Sequence, residues 1–365
     1  MPQSKFQAIL EAGVEAGASD WHIREDSTVA LRIDAGLVEI ADFVPDKEFI
    51  SAAVDEIIDE RGKKTFDETG DADFAHQEDG VGRFRVNLHR QRGKMALTFR
   101  HIKDKVPDYK GLGLPEILLK IASEERGIVL VTGTTGSGKS TTMACMLEFM
   151  NDNFARHIIT IEDPIEYHFQ DRSCIFEQRE VGIDTISFNS ALIHALRQDP
   201  DVIMVGEMRH RDGFDTALTA ADTGHMVMST MHTSNASQTI QRIFDFYGHD
   251  ERDQIRQSLA TNLAAIICQR LMPRAVGRGV VPALEIMINT GTIRKLLEQD
   301  KLDKLPQAIE ACRNEGMQSF NQCMLDLCNE GLITEDLALE KATNPEMLRM
   351  NLNGIFLGTD NAILG

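Results

Sequence analysis

Phe6, Leu10 and Val14 recur one helical turn apart, and this spacing predicts an amphipathic helix over residues 6–16. Val29-Ala30-Leu31-Arg32-Ile33-Asp34 alternates as a strand does, and Ala35-Gly36 reads as the turn after it. A second amphipathic helix is expected over 49–58. Residues 84–88 and 96–100 read as two strands joined by a polar turn through Arg92-Gly93-Lys94. Residues 1–105 are therefore expected to form a small α/β domain.

Val106-Pro107-Asp108-Tyr109-Lys110-Gly111-Leu112-Gly113 breaks this pattern, and its Pro and Gly content marks a linker or hinge at 106–114. Beyond it, near-continuous apolar runs at 128–131, 158–161, 202–205 and 226–228 alternate with helical segments. Such runs suit strands buried on both faces of a largely parallel sheet, so 115–290 reads as an α/β core. Two of its helices are expected at 212–221 and, as one long element, at 250–271. From 291 to 365 the chain reads as mostly helical, with a capping box at Ser319-Phe320-Asn321-Gln322 and an N-cap at Thr334. The stretch from 353 has no periodicity.

Composition bounds the function. A formal charge of −19, from 57 acidic and 38 basic side chains, opposes general binding to nucleic acid or to an anionic lipid surface. It leaves room for a local nucleotide site. No apolar run approaches the roughly 18 residues of a membrane span, and Met1-Pro2-Gln3-Ser4-Lys5 has no signal core, so a cytoplasmic protein is expected. None of Cys145, Cys174, Cys268, Cys312, Cys323 and Cys328 forms a CxxC pair, so reduced, buried thiols are expected rather than a zinc element.

Gly133-Thr134-Thr135-Gly136-Ser137-Gly138-Lys139-Ser140 matches the phosphate-loop pattern G-x-x-x-x-G-K-[ST] in full, between an apolar strand and a helix that begins near Thr141. Its backbone N–H groups and the helix N-terminus suit phosphate. Lys139 suits the β- and γ-phosphates, and Ser140 suits Mg²⁺. ATP and Mg²⁺ are the expected ligands. Two further strand ends carry acids, Ile161-Glu162-Asp163-Pro164 and Val205-Gly206-Glu207-Met208. Glu207 is the expected water-activating base, and Glu162 is expected to serve Mg²⁺, directly or through water. In Gly224-His225-Met226-Val227-Met228-Ser229-Thr230-Met231-His232-Thr233 the odd spacing keeps both histidines off one strand face. His232 is the candidate γ-phosphate contact, and His225 reads as structural.

These motifs, in this order, resemble the secretion-ATPase superfamily and, within it, the type IV pilus motors. GTTGSGKS is similar to the family's Walker A, TIEDPIEY to its aspartate box, DVIMVGEMR to its Walker B and TGHMVMSTMHTSNA to its histidine box. ASDWHI, GRFRVN, CQRLMPR and GMQSF extend the likeness over about residues 5–345. The resemblance implies a PAS-like N-terminal α/β domain and a RecA-like P-loop ATPase domain with a helical C-terminal region. It also implies a homohexamer at the cytoplasmic face of an inner-membrane pilus platform. Family sites lie between the two domains and are completed by N-terminal arginines, here Arg85 and Arg100. Their alternative role is a surface ion pair with Asp67, Glu68, Asp71 and Asp73, and Arg83 is open to either reading. Arg270 is a further candidate phosphate contact.

Assembly motors of this superfamily usually carry an extra N-terminal domain and a four-cysteine zinc element. Neither is expected here, which favours the retraction (twitching motility) branch. That branch has a C-terminal element AIRNLIRE. Thr292-Ile293-Arg294-Lys295-Leu296-Leu297-Glu298-Gln299 keeps its central Ile-Arg but not its first Ala or its last Arg-Glu, which leaves an assembly or accessory paralogue as the alternative. A nucleic-acid motor and a non-catalytic nucleotide scaffold are the readings from other classes.

Overall fold

The computed structural model describes residues 4–33, 36–41, 43–102 and 105–356. The expected turn at Ala35-Gly36 and the end of the tail lie outside or partly outside them. The chain divides into two compact units, Met1–Lys105 with Glu166–His168, and Val106–Ile165 with Phe169–Gly365.

The first unit runs α1 (Lys5–Glu15), β1 (Asp20–Arg24), β2 (Val29–Ile33), β3 (Gly36–Ile40), α2 (Lys47–Ile57), α3 (Glu60–Thr69), β4 (Asp71–Glu78), β5 (Gly82–Gln91) and β6 (Lys94–Ile102). Ser4, Asp46 and Asp59 cap the three helices by accepting hydrogen bonds from first-turn N–H groups. The strands form one antiparallel sheet in the order β3-β2-β1-β6-β5-β4. β5 alternates strictly, with Phe84, Val86 and Leu88 buried and Arg83, Arg85 and Asn87 more exposed. Arg92 (φ 49°) and Gly93 (φ 78°) turn the β5–β6 hairpin, as the right-handed strand twist favours. The core gathers Leu10, Trp21, Phe84 and Phe99. The Trp21 indole N–H donates to the Ile9 carbonyl at 3.1 Å.

The second unit runs α4 (Ile117–Ser123), β7 (Gly127–Thr132), α5 (Lys139–Asn153), β8 (His157–Glu162), β9 (Ile175–Glu180), α6 (Phe188–Ala195), β10 (Val202–Val205), α7 (Arg211–Asp222), β11 (Met226–Met231), α8 (Ala236–Phe244), α9 (Arg252–Asn262), β12 (Leu263–Pro273), β13 (Val280–Ile288), α10 (Gly291–Glu298), α11 (Leu305–Ala311), α12 (Phe320–Asn329), α13 (Glu335–Lys341) and α14 (Pro345–Leu352). Its sheet has the order β13-β12-β7-β11-β10-β8-β9, and only the β12–β13 pair is antiparallel. Every residue of β7, β10 and β11 is buried, as expected for strands covered on both faces.

One expected element is corrected. The helix over 250–271 ends at Asn262, and Leu263–Pro273 is the strand β12. The apolar stretch 263–268 has no period that separates a buried helix from a buried strand. Here β7 on one side and β13 on the other offer a complete ladder, and the backbone takes it.

Candidate nucleotide site

β7 delivers the phosphate loop and α5 leaves it. Gly133 (φ 150°) and Gly138 (φ 85°) hold positive φ, and side chains there would also collide. A Cβ on Gly133 would lie 2.4 Å from the Gln269 carbonyl oxygen, and one on Gly138 would lie 2.8 Å from Gln269 Nε2. Gln269 is therefore the back wall of the loop. Its Oε1 accepts from the buried Thr142 hydroxyl at 2.7 Å, fixing the first turn of α5. Lys139 Nζ folds back to donate to the carbonyls of Gly133 at 2.9 Å and Thr134 at 3.0 Å. The lysine thus braces the loop through contacts that a phosphate oxygen can take over. Ser137 Oγ is buried without a hydrogen-bond partner among the described residues, and Thr134, Thr135 and Gly136 face solvent. Ser140 and Thr141 are half-buried on the first turn of α5. A concave run of backbone N–H groups, one ammonium and an open rim fits a polyphosphate.

The parallel strands end together. Thr132 pairs with Met231, Val205 with Ser229 and Val205 with Ile161. Hydrogen bonds then stitch these ends to one another. Gly133 N donates to the Met231 carbonyl at 3.3 Å, Met208 N to the Thr230 carbonyl at 3.1 Å, and Gly206 N to the Ile161 carbonyl at 2.7 Å. The loop, His232, Glu207 and Glu162 consequently lie along one carboxyl edge, where ligands bind in open α/β sheets. Strand order sets their sequence along it. β11 separates β7 from β10, so His232 follows the strand between the phosphate loop and Glu207.

Glu207 is held from two sides. Oε2 lies 3.5 Å from His232 Nε2, and Oε1 lies 2.6 Å from Arg209 Nε. The Glu207 side chain is 19% exposed, against 46% for His232. The carboxylate is thus sheltered and the imidazole reaches solvent. Glu162 is buried, and its Oε1 accepts from Thr160 Oγ1 at 2.7 Å and Gln178 Nε2 at 3.2 Å. It lies three strands from β7, a lateral distance of about 14 Å at ordinary strand spacing. Ser140 and Glu162 are both oxygen donors of the kind Mg²⁺ takes, but this spacing fits Glu162 acting through water rather than sharing one coordination sphere with Ser140.

His225, at the opposite end of β11, presents Nδ1 2.9 Å from the Ala220 carbonyl, which ties α7 to the strand. Arg270 is not brought to the loop. Alternation along β12 turns Gln269 toward α5 and Arg270 to the other face. There the guanidinium lies 3.9 Å from the Phe320 ring centroid and donates to the Lys341 carbonyl at 2.7 Å. The motif Cys268-Gln269-Arg270 pointed to the right place, but Gln269, not the arginine, faces the loop. In the first unit, Arg85 and Arg100 sit directly opposite each other in the β5–β6 ladder. Arg85 Nε is 3.9 Å from Asp73 Oδ1, and Arg100 Nε is 2.9 Å from Oδ1 of the buried Asp20. Asp73 belongs to the acidic run, so the surface pair is made for Arg85, whereas Arg100 pairs elsewhere.

The family model described as type II/IV secretion system protein matches residues 79–330. The chain belongs to that secretion-ATPase family. It is 40% identical to a type IV pilus retractation ATPase, PilT, of Pseudomonas aeruginosa, over 93% of this chain and 98% of that protein. It is 37% identical to the type IV pilus ATPase PilU of the same organism, over 95% of this chain and 91% of the other. Among solved structures, the pilus retraction motor PilT with bound ADP superposes with a TM-score of 0.87 at 41% identity, covering 94% of this chain and 98% of that one. Like this secretion-ATPase family, the chain is a mixed α/β enzyme that binds nucleotide and hydrolyses ATP. No helix among the described residues is long and apolar enough to cross a membrane.

Proposed function

We propose that the chain is a homohexameric motor that spends ATP to retract a type IV pilus, working in the cytoplasm against an inner-membrane platform. The strand order that sets His232 between the phosphate loop and Glu207 carries the mechanism. Near-full-length likeness to a retraction ATPase supports the biological role.

Lys139 exchanges the carbonyls of Gly133 and Thr134 for the β- and γ-phosphates, with Gly133, Thr134, Thr135, Gly136, Ser137, Gly138 and Thr141 wrapping them. Arg85 and Arg100 are the arginines that neutralise γ-phosphate charge. Each would exchange its present carboxylate, Asp73 or Asp20, for a phosphate oxygen. Glu207 orients and deprotonates the attacking water, and Arg209 and His232 hold its carboxylate in place. Ser140, with Glu162 through water, would hold Mg²⁺, which when bound offsets phosphate charge. Loss of the γ-phosphate changes what His232 faces. A movement of the two domains about the 106–114 linker carries that change outward.

Purified protein should hydrolyse ATP, and Lys139→Ala or Glu207→Gln should each abolish steady turnover. Retention of turnover by either variant removes the site assignment. Deleting the protein from its host should leave persistent, excess pili, whereas bald cells would mean an assembly motor. DNA-stimulated turnover with a steep salt dependence would instead mean a nucleic-acid motor.

A further inference from the structure

Behind the site, on the sheet face that carries α8 and α12, a row of side chains crosses three strands. Thr132 ends β7, Cys268 is its partner on β12, and Glu285 is the partner of Cys268 on β13. Glu285 is a carboxyl 7% exposed, and it forms no ion pair within 4 Å among the described residues. Burial raises its pKa, and the groups that face it are Cys268 and Arg270 on β12 and Glu310 on α11. A carboxyl in such surroundings is costly unless something specific holds it.

What holds it is the start of α8. Glu285 Oε1 accepts the backbone N–H of Ala236, the first residue of that helix, at 2.8 Å, in a fully buried contact. Only Thr233, Ser234 and Asn235 separate Ala236 from His232. Those residues are fastened locally as well. Asn235 Oδ1 accepts from Gln238 N at 2.8 Å, and the hydroxyls of Thr233 and the buried Thr239 lie 2.7 Å apart. Local bonds fix the shape of this turn. The bond to Glu285 is the direct tie of the helix's first residue to the sheet, beside the Thr239 contact to Cys268, and it sets where His232 meets Glu207.

We propose that Glu285 is a positioning residue for ATP hydrolysis, anchoring the α8 N-terminus so that His232 is presented to Glu207. The inference rests on the roles assigned above to Glu207 and His232. The phosphate loop is backed from the other face by Gln269, so ground-state nucleotide binding does not depend on this anchor. β13 also leads into α10 and the rest of the C-terminal helices, so the anchor ties the His232 loop directly to that region.

The test is steady-state kinetics on the full chain. Glu285→Met keeps the volume and removes the acceptor; it should lower kcat about tenfold while KM for ATP stays within about twofold. Glu285→Gln keeps an acceptor oxygen and should restore kcat to within about twofold of the parent. The double variant Glu285→Met/His232→Ala should be no slower than His232→Ala alone, because both act through one contact. Cys323→Ala removes a thiol that accepts from the neighbouring Leu284 N–H at 3.3 Å, and it should cost stability without changing kcat. If Glu285→Met does not fold, Glu285→Asp, which shortens the reach, should show the same kcat-only loss. The proposal is overturned if Glu285→Met leaves kcat unchanged while His232→Ala is slow. Additive losses, a parallel rise in KM or an equal loss in Cys323→Ala would also overturn it. A fast His232→Ala variant would remove the reading on which it rests.

Discussion

Gln269 shows how a residue without charge or nucleophilicity can shape a nucleotide site. Its carbonyl and amide wall two glycines, and its side-chain oxygen takes the Thr142 hydroxyl. Gln269→Leu leaves that buried hydroxyl unpaired, at a cost of about 1–3 kcal/mol. It should also loosen the loop and weaken ADP binding, as calorimetry would register. Unchanged affinity would mean the loop holds itself. The cysteines offer a second test at this scale. Burial pushes the Cys145 thiol up to about 12 and Cys323 to about 11 from an ordinary 9.0, and Cys174 and Cys268 are raised as well. In the folded protein at pH 8 these four should resist thiol reagents, and unfolding should expose all six.

Elements form here where local signals and tertiary partners agree. Ser319 and Gln322 make the reciprocal bonds of a capping box, and Thr334 caps α13, both as the sequence indicates. Ser319→Ala should cost about 0.5–2 kcal/mol by denaturant midpoint and leave kcat unaltered. α1 reverses a familiar rule. Gly→Ala inside a helix usually stabilises by up to about 1 kcal/mol. At Gly13 a Cβ would lie 2.3 Å from Trp21 Nε1, so Gly13→Ala should destabilise the first unit instead. A higher melting temperature for that variant would show that the indole can move aside. β12 marks where element-scale reasoning ends. Its first six residues, Leu263–Cys268, are apolar, and only the ladders on both sides decide strand over helix.

For the whole molecule, buried thiols set an alkaline limit. The folded pKa of Cys145 lies above its unfolded value, so between the two the folded state binds more protons and stability falls as pH rises. The contribution is complete below about pH 9 and is lost progressively toward pH 12. Unfolding midpoints should therefore fall above pH 9, and Cys145→Ala should flatten that fall.

The sequence by itself determined the phosphate loop, the apolar strands of the parallel sheet, the helix caps at Ser319 and Thr334 and a family resemblance carried by four ordered motifs. Each is a contiguous string whose chemistry is local: glycines for positive φ, a lysine for phosphate, a hydroxyl for orphan N–H groups. Tertiary structure decided what depends on neighbours distant in the chain. It chose strand over helix for Leu263–Pro273 and put Gln269 rather than Arg270 against the loop. It set His232 just past the strand between the loop and Glu207, and buried Glu285 under α8. The physical reason is the same in each case. Strand order and the alternation of faces convert sequence position into spatial position, and both are settled only when the sheet closes its hydrogen bonds.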